Sequence, residues 1–397
     1  MLRRYLASAG LARLADEMVA VTVVLFVKDR TGSVVLAGAA VAAYTLPSIL
    51  SGPLLGAWLD RTRRPLLALA GNQFLLAAGT AGLTLGTGRM PFAVVVGLAV
   101  LTGVTLPMTS GGFTSLVPRL VSDNTLPRAN TCDALLFNVA AIGGPALAGI
   151  LTSAFGATSA MTAISALATV GGLWTTTLRL PRRETTRAEA TPLFVHVRRG
   201  LAHLARTPPL RGATLATVLS LGAVGTLGLV LPLHVESLGV DVGATGFVWA
   251  AIEAGCIIGV VLLRRHLHLW RPENTVFVAI ALYGLVMATW PLARGLPALL
   301  ALALLSGLVQ GPTLTSIITA RQRYSPADLL SQVSTTGASL KMGAFALGAA
   351  VGGPLAAGLG TRTVIVAVAV AQLAAALLGR LTGTPRAVPV ANCSGTP

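Results

Sequence analysis

Twelve apolar stretches, each long enough to cross a bilayer, leave this chain few folds to choose from. They lie at about Leu6–Val27, Val34–Leu55, Leu66–Leu85, Pro91–Leu116, Ala134–Phe155 and Thr158–Leu178 in the first part. In the second part they lie at about Ala213–Val235, Gly243–Leu263, Thr275–Leu292, Leu296–Thr319, Val333–Leu359 and Val364–Leu381. We number them helix 1 to helix 12. Hydrocarbon offers backbone groups no water, so a spanning segment of this length must satisfy its own hydrogen bonds as a helix. Only 11% of the residues are charged, whereas a soluble chain carries about 25%. The sequence therefore specifies an integral membrane protein.

Charge sets the orientation. The net charge of +16 would point to nucleic acid in a soluble chain. Here arginines gather in alternate short connections, such as Arg61–Arg64, Arg119 with Arg128, Arg264 with Arg265, and Arg321 with Arg323. The opposite connections hold only Lys28, Arg30, Arg89, Arg294 and Arg362. This is the positive-inside pattern, so both termini are expected in the cytoplasm and no nucleic-acid partner is expected. Arg3-Arg4 before an apolar run could open a signal peptide, but the run is too long and carries Asp16-Glu17, so it reads as helix 1. Cys132, Cys256 and Cys393 are too far apart for a metal-ligand spacing, and no cofactor or metal is expected. The Asn392-Cys393-Ser394 sequon carries no weight in a cytoplasmic tail.

The connection Gly56-Ala57-Trp58-Leu59-Asp60-Arg61-Thr62-Arg63-Arg64-Pro65 is too short to hold a domain, yet concentrates one acid and three arginines. It resembles the helix 2–3 signature of the major facilitator superfamily of secondary transporters, roughly G-x-x-x-D-R-x-G-R-R. Gly56, Asp60, Arg61 and Arg64 match, while Arg63 and Pro65 depart from the pattern. A second resemblance lies in helix 5, where Gly143-Gly144-Pro145-Ala146-Leu147-Ala148-Gly149 is similar to that family's antiporter motif, G-G-P-x-x-x-G. Helix 11 repeats it as Gly352-Gly353-Pro354-Leu355-Ala356-Ala357-Gly358. Glycines let helices approach closely and proline bends them, so helix packing alone is the other reading of both motifs. The second half degrades the loop signature, with Leu263 where the acid would stand before Arg264-Arg265. Helix 4 lacks the arginine of the family's R-x-x-Q-G motif.

The repeat and the resemblance together imply an all-α membrane protein of twelve transmembrane helices, in two six-helix halves related by pseudo-two-fold symmetry. The expected divisions are a first half at 1–178, a cytoplasmic linker at 179–212, a second half at 213–382 and a cytoplasmic tail at 383–397. Within the linker, Leu193, Val197, Leu201 and Leu204 recur at helical spacing. They form either an amphipathic helix on the membrane surface or part of a solvated basic linker. The resemblance implies a central cavity lined by helices 1, 4, 7 and 10, about which the halves rock. It also implies that Asp60 meets the start of helix 11, near Ser331–Ser334, when the cytoplasmic gate closes.

Ionisable residues inside the spans are the candidates for chemistry. Glu253 stands near the middle of helix 8 with no basic residue one turn away. It either exchanges a proton as access alternates or is a neutral acid bonded to a neighbouring helix. Asp16 and Glu17 lie about 100° apart on helix 1, so one of them at most faces the cavity. Arg13 can reach either, which would make a local ion pair instead. Lys341 in helix 11 either runs to the cytoplasmic surface or pairs with an acid of another helix. Further cavity candidates are Asn138 in helix 5, Gln310 in helix 10, and Thr102, Thr105 and Thr109 on one face of helix 4. Each amide serves equally as glue between helices. His234 and Glu236 are expected at the external interface.

Metalloprotease, nucleophile-elbow and phosphate-loop motifs are all missing from the sequence, which argues against an enzyme. Spans rich in Ala, Val, Leu, Gly and Thr, with acid but little base, suit lipophilic neutral or cationic compounds. The expected activity is proton-coupled efflux of such compounds, a drug or secondary metabolite, by a multi-pass protein of the bacterial cytoplasmic membrane. Its expected partners are the lipid bilayer, the small-molecule substrate and protons, and it is expected to act as a monomer. Uptake of a small metabolite and a non-transporting sensor are the alternatives.

Overall fold

The computed structural model describes residues 2–180, 192–267 and 269–384. Arg182, Arg183 and Arg187 of the linker, and Arg386, Asn392 and Cys393 of the tail, lie outside the described residues. Every regular element among the described residues is helical. Eleven spans are long and apolar enough to cross a membrane. Helix 1 (Leu2–Thr31) is the twelfth, and it carries Arg13, Asp16 and Glu17 mid-span. The structure thus agrees with an all-α, twelve-span membrane fold.

Several helices run beyond their apolar stretches. Helix 5 begins at Leu126 and ends at Phe155, two turns before the expected Ala134. Helix 7 runs from Pro208 to Ser237 and helix 11 from Leu330 to Leu359. The polar start of helix 11 is buried against Asp60 of helix 2, and Asn130 near the start of helix 5 meets Gln322 of helix 10, so hydropathy underestimates these two helices. Two spans are broken where proline removes a backbone donor. Helix 2 divides into Val34–Thr45 and Pro47–Arg61, and helix 10 into Leu296–Gln310 and Pro312–Tyr324. Helix 4 is interrupted more deeply, with Phe92–Gly103 followed by a π-helical turn at Met108–Gly112 and then Phe113–Leu120. The remaining spans are helix 3 (Pro65–Gly86), helix 6 (Ala157–Thr176), helix 8 (Thr245–Leu263), helix 9 (Pro272–Met287) and helix 12 (Thr361–Gly383).

Side chains of helices 1–6 share their apolar cores, built around residues such as Met18, Phe26, Met161 and Ile164. Those of helices 7–12 share others, around Leu227, Val248, Tyr283 and Trp290. Bulky apolar side chains such as Leu50, Ile150, Leu347 and Val370 point outward. On a soluble protein such a surface would be an association patch, whereas here lipid tails cover it. The repeat is visible in packing, with helix 5 lying on helix 1 and helix 11 on helix 7.

The linker holds a helix, Leu193–Arg206, as the spacing of its leucines suggested. Its buried face is His196, Gly200 and Leu204, while Phe194 and Leu201 are exposed. Through that face it packs against helices 2 and 11, while Phe194, Val195 and Leu201 stay on its outer side. Gly200 makes this docking possible, because the Gln332 side chain occupies the place of a Cβ. His234, in the last turn of helix 7, is buried with Nδ1 3.4 Å from Thr361 Oγ1 at the start of helix 12, whereas Glu236 is exposed.

Candidate functional site

At the end of the bundle that carries the Asp60 connection, the two sets of helices are in contact. Glycine is what permits it. A Cβ on Gly56 would lie 2.5 Å from Gln332 Cα, and one on Gly111 would lie 2.6 Å from the Thr335 nitrogen. Helices 2 and 4 therefore meet helix 11 backbone to backbone. Asp60, 2% exposed, then reaches the first turn of helix 11. Its Oδ1 accepts from the Ser331 N–H at 3.0 Å and its Oδ2 from the Gln332 N–H at 2.9 Å. These amides have no partner within the helix, and they sit at the positive end of its dipole. A buried carboxylate fits that place because it neutralises the dipole and satisfies two donors at once.

Other bonds close the same end. Thr335 Oγ1 donates to Gly52 O (2.7 Å), Ser339 Oγ to Ser48 O (2.5 Å), and Asn130 Nδ2 to Gln322 Oε1 (2.6 Å). The linker helix covers the seam. Gln332 Nε2 donates to Val197 O at 2.7 Å, Arg199 pairs with Asp328 at 3.0 Å, and His196 Nε2 lies 3.9 Å from Asp60 Oδ2. Of the remaining signature residues, Arg61 is half-buried and Arg64 exposed.

Beyond this closed end, a cavity of about 820 Å³ lies between the two sets of helices. Its walls come from helices 1, 5, 7, 8, 9, 10 and 11. Helix 4 contributes nothing, contrary to expectation, because its middle is spent on contact with helices 3 and 11. Thr102 donates to Leu98 O and packs on Gly79, Thr105 donates to Thr102 O, and Thr109 accepts from Asn72 Nδ2 at 2.9 Å. The three threonines thus stand outside the cavity wall. Asn138, Gln310 and Lys341 line it.

The acids of helix 1 separate as their angular spacing requires. Glu17 lines the cavity, while Asp16 Oδ1 accepts from the Tyr44 hydroxyl of helix 2 at 2.7 Å. Neither forms a close ion pair with Arg13, although its charge still reaches Glu17, so the local pair that stood as the alternative within helix 1 is not taken up. Arg13 turns instead to helix 5, where Nη1 meets Asp133 Oδ1 at 2.8 Å and Nη2 donates to Thr114 Oγ1 at 3.1 Å. Tyr5 donates to the same carboxylate, and the guanidinium stacks on Phe137, 3.5 Å from the ring centroid. Sequence reasoning missed Asp133 because it precedes the apolar run of helix 5. A two-turn extension of that helix would have put it on a buried face.

The helix 5 motif divides its duties. Gly144 lets helix 1 approach, since a Cβ there would lie 2.5 Å from Glu17 Cβ. Pro145 lines the cavity, Gly143 touches Leu14, and Gly149 meets open space. In helix 11 the close glycine is Gly352, against Thr226 of helix 7, one position earlier in the motif.

Glu253 of helix 8 lines the cavity and lies within electrostatic range of Glu17 from the other set of helices. Gly246, Trp249 and Cys256 share its face, at the three- and four-residue spacing of one helix stripe. That spacing was the unused signal for Trp249 and Cys256. Gly311, at the break of helix 10, backs directly onto the Cys256 carbonyl and brings Gln310 to the wall. Lys341 neither runs to the helix end nor meets an acid, and among the described residues it forms no ion pair.

The model of the Major Facilitator Superfamily matches residues 5–342. An uncharacterised MFS-type transporter of Sinorhizobium fredii, y4rN, is 33% identical over 359 residues, covering 88% of this chain and 86% of the relative. The multidrug efflux pump Tap of Mycolicibacterium fortuitum is 24% identical, covering 89% of each chain. Among solved structures, the Escherichia coli fucose:proton symporter superposes with a TM-score of 0.77 at 14% identity, covering 97% of this chain and 98% of that one. With the span count, the closed Asp60 end and the central cavity, these likenesses make the chain a member of the major facilitator superfamily: a multi-pass membrane transporter and not an enzyme.

Proposed function

We propose that the protein exports lipophilic compounds from the cytoplasm in exchange for protons, by alternating access. The observation that carries this reading is the cavity itself. It is walled mainly by apolar side chains, and two carboxylates, Glu17 of helix 1 and Glu253 of helix 8, face it together. Two such acids form a site where a proton and a substrate cation compete, which is the coupling an antiporter requires. The likeness to Tap supports efflux. The likeness to a proton symporter keeps uptake as the second reading, because the same geometry serves both directions.

In this proposal the six-helix halves, 1–178 and 213–382, rock about the cavity. The closed Asp60 end is cytoplasmic, so the structure corresponds to an outward-facing state of a bacterial inner-membrane protein. Gly144 of the helix 5 motif sets Glu17 at the wall, while Asn138 and Gln310 offer hydrogen bonds to the substrate. Orientation is checked by cysteine labelling of intact cells. A cysteine in the 238–243 connection should react with an impermeant reagent, and one at Arg64 should not. Reaction of the Arg64 site from outside would reverse the topology.

Transport is checked in everted membrane vesicles with an acidic lumen. Rhodamine B ethyl ester, a lipophilic cation, should accumulate in the lumen as protons leave. Collapsing the pH gradient with nigericin should release it. Accumulation equal to that of vesicles lacking the protein would refute export of this class. A proton symporter would drive the dye in the opposite direction.

A further inference from the structure

The charges around the cavity are sorted by wall. Helix 8, which carries Glu253, rests on helix 5 and on the first part of helix 10 (Leu296–Gln310), whereas helix 11, which carries Lys341, rests on helices 2 and 7 and has Arg321, from the second part of helix 10, against its Gly337. Glu17 belongs with Glu253, because Gly144 of helix 5 holds its backbone and the two acids interact. The charged neighbour of Lys341 is not an acid but Arg321 of helix 10. Arg321 is itself 5% exposed, with Nε and Nη2 lacking hydrogen-bond partners, and among the described residues it meets no carboxylate. One flank of the cavity is therefore acidic and the other basic, with Trp249, Tyr283 and Phe345 among the residues lining the space.

The geometry points to substrates that are zwitterionic amphiphiles, with a cationic group for Glu17 and Glu253, an anionic group for Lys341, and an aromatic or aliphatic body between. The inference rests on the transport reading above and narrows its substrate class. The physical reason lies in desolvation. An ammonium on the wall of a cavity open to solvent is hydrated by water that enters it. A bound lipophilic body expels that water, and an ammonium left without a partner in the resulting apolar contact is costly. A purely cationic or neutral ligand imposes that cost, whereas a carboxylate, sulfonate or phosphate on the ligand removes it. The orphaned donors of Arg321 nearby add to the positive potential on the same flank. A cavity of this volume is within the range that holds drug-sized molecules.

The test uses two dyes that differ in one group. Rhodamine B carries a free carboxylate beside its cationic ring system, and its ethyl ester keeps only the cation. Binding of each to the purified full-length protein in nanodiscs is read by fluorescence polarisation. Empty nanodiscs correct for partitioning into lipid. Rhodamine B should bind about tenfold more tightly than the ester. Lys341→Gln should bring the two dyes to equal affinity, and Lys341→Arg should keep the preference. A thermal melt verifies that each variant is folded. The wild-type ratio decides the matter even if Lys341→Gln does not fold. Equal or tighter binding of the ester to the wild type overturns the proposal, as does an undiminished preference in folded Lys341→Gln. Proton-driven accumulation of the ester with no preference for the acid would remove this inference alone. No accumulation of either dye would remove the export reading beneath it.

Discussion

Glu253→Gln is expected to abolish accumulation of a lipophilic cation driven by a pH gradient, bringing it to the level of vesicles without the protein. Glutamine keeps the shape and hydrogen-bonding capacity of the acid but cannot titrate. Downhill exchange of labelled for unlabelled dye should continue, because the closing contacts at the Asp60 end do not involve Glu253. The separation of these two activities is the diagnostic result. A merely structural acid would be mimicked by glutamine, and both activities would stay near the parent's. Expression and melting temperature are measured alongside, so that loss of protein is not mistaken for loss of coupling. Should the variant still concentrate the dye with the parent's response to pH, the coupling role passes to Glu17. Glu17 shares the cavity with Glu253, whereas Asp16 is turned away to Tyr44.

The second large effect is expected at the gate. Asp60 accepts two backbone N–H groups at the start of helix 11, and a hydrogen bond to a charged group contributes roughly 1.5–3 kcal/mol. Asn keeps one acceptor and turns a donor toward the other amide, and the favourable charge at the helix N-terminus disappears. A loss of about 2 kcal/mol shifts the balance between closed and open gate roughly 30-fold toward open. Asp60→Asn should therefore slow transport strongly while leaving the fold and the cavity intact. Spin labels on cysteines replacing the exposed Asn124 and Arg323, one on each side of the seam, report the change. The parent should show a short separation, and the variant should add a longer one as a major population. An unaltered distance distribution together with normal transport would remove Asp60 from the gate.

Much of this was legible before any tertiary contact was known. Apolar runs of bilayer length can only be helices, because hydrocarbon leaves the backbone no other partner. That argument alone supplied the spans, and the alternation of arginines supplied their direction as an expectation. The Asp60 signature was readable because it is local, an acid and arginines in a connection too short for anything else. Its partner came from the family resemblance, which puts that acid at the start of helix 11, and the unsatisfied amides that open a helix give the physical reason for the pairing.

What stayed hidden depends on which helix lies opposite which face. Periodicity shows that Asp16 and Glu17 point apart, but not that one finds Tyr44 and the other a cavity. Arg13 has Asp16 and Glu17 within one turn, yet pairs with Asp133, 120 residues away, because helix 5 rests on that face of helix 1. The threonines of helix 4 form the expected stripe, but close glycine contact turns it to helices 3 and 11. Lys341 was expected to have a partner or an escape to the surface, and the arrangement of helices 7, 10 and 11 denies it both. Sequence determines which residues share a helix face through spacing alone. The partner of each face is decided by helix packing, where glycines fix the closest approaches and long-range pairs satisfy the buried charges.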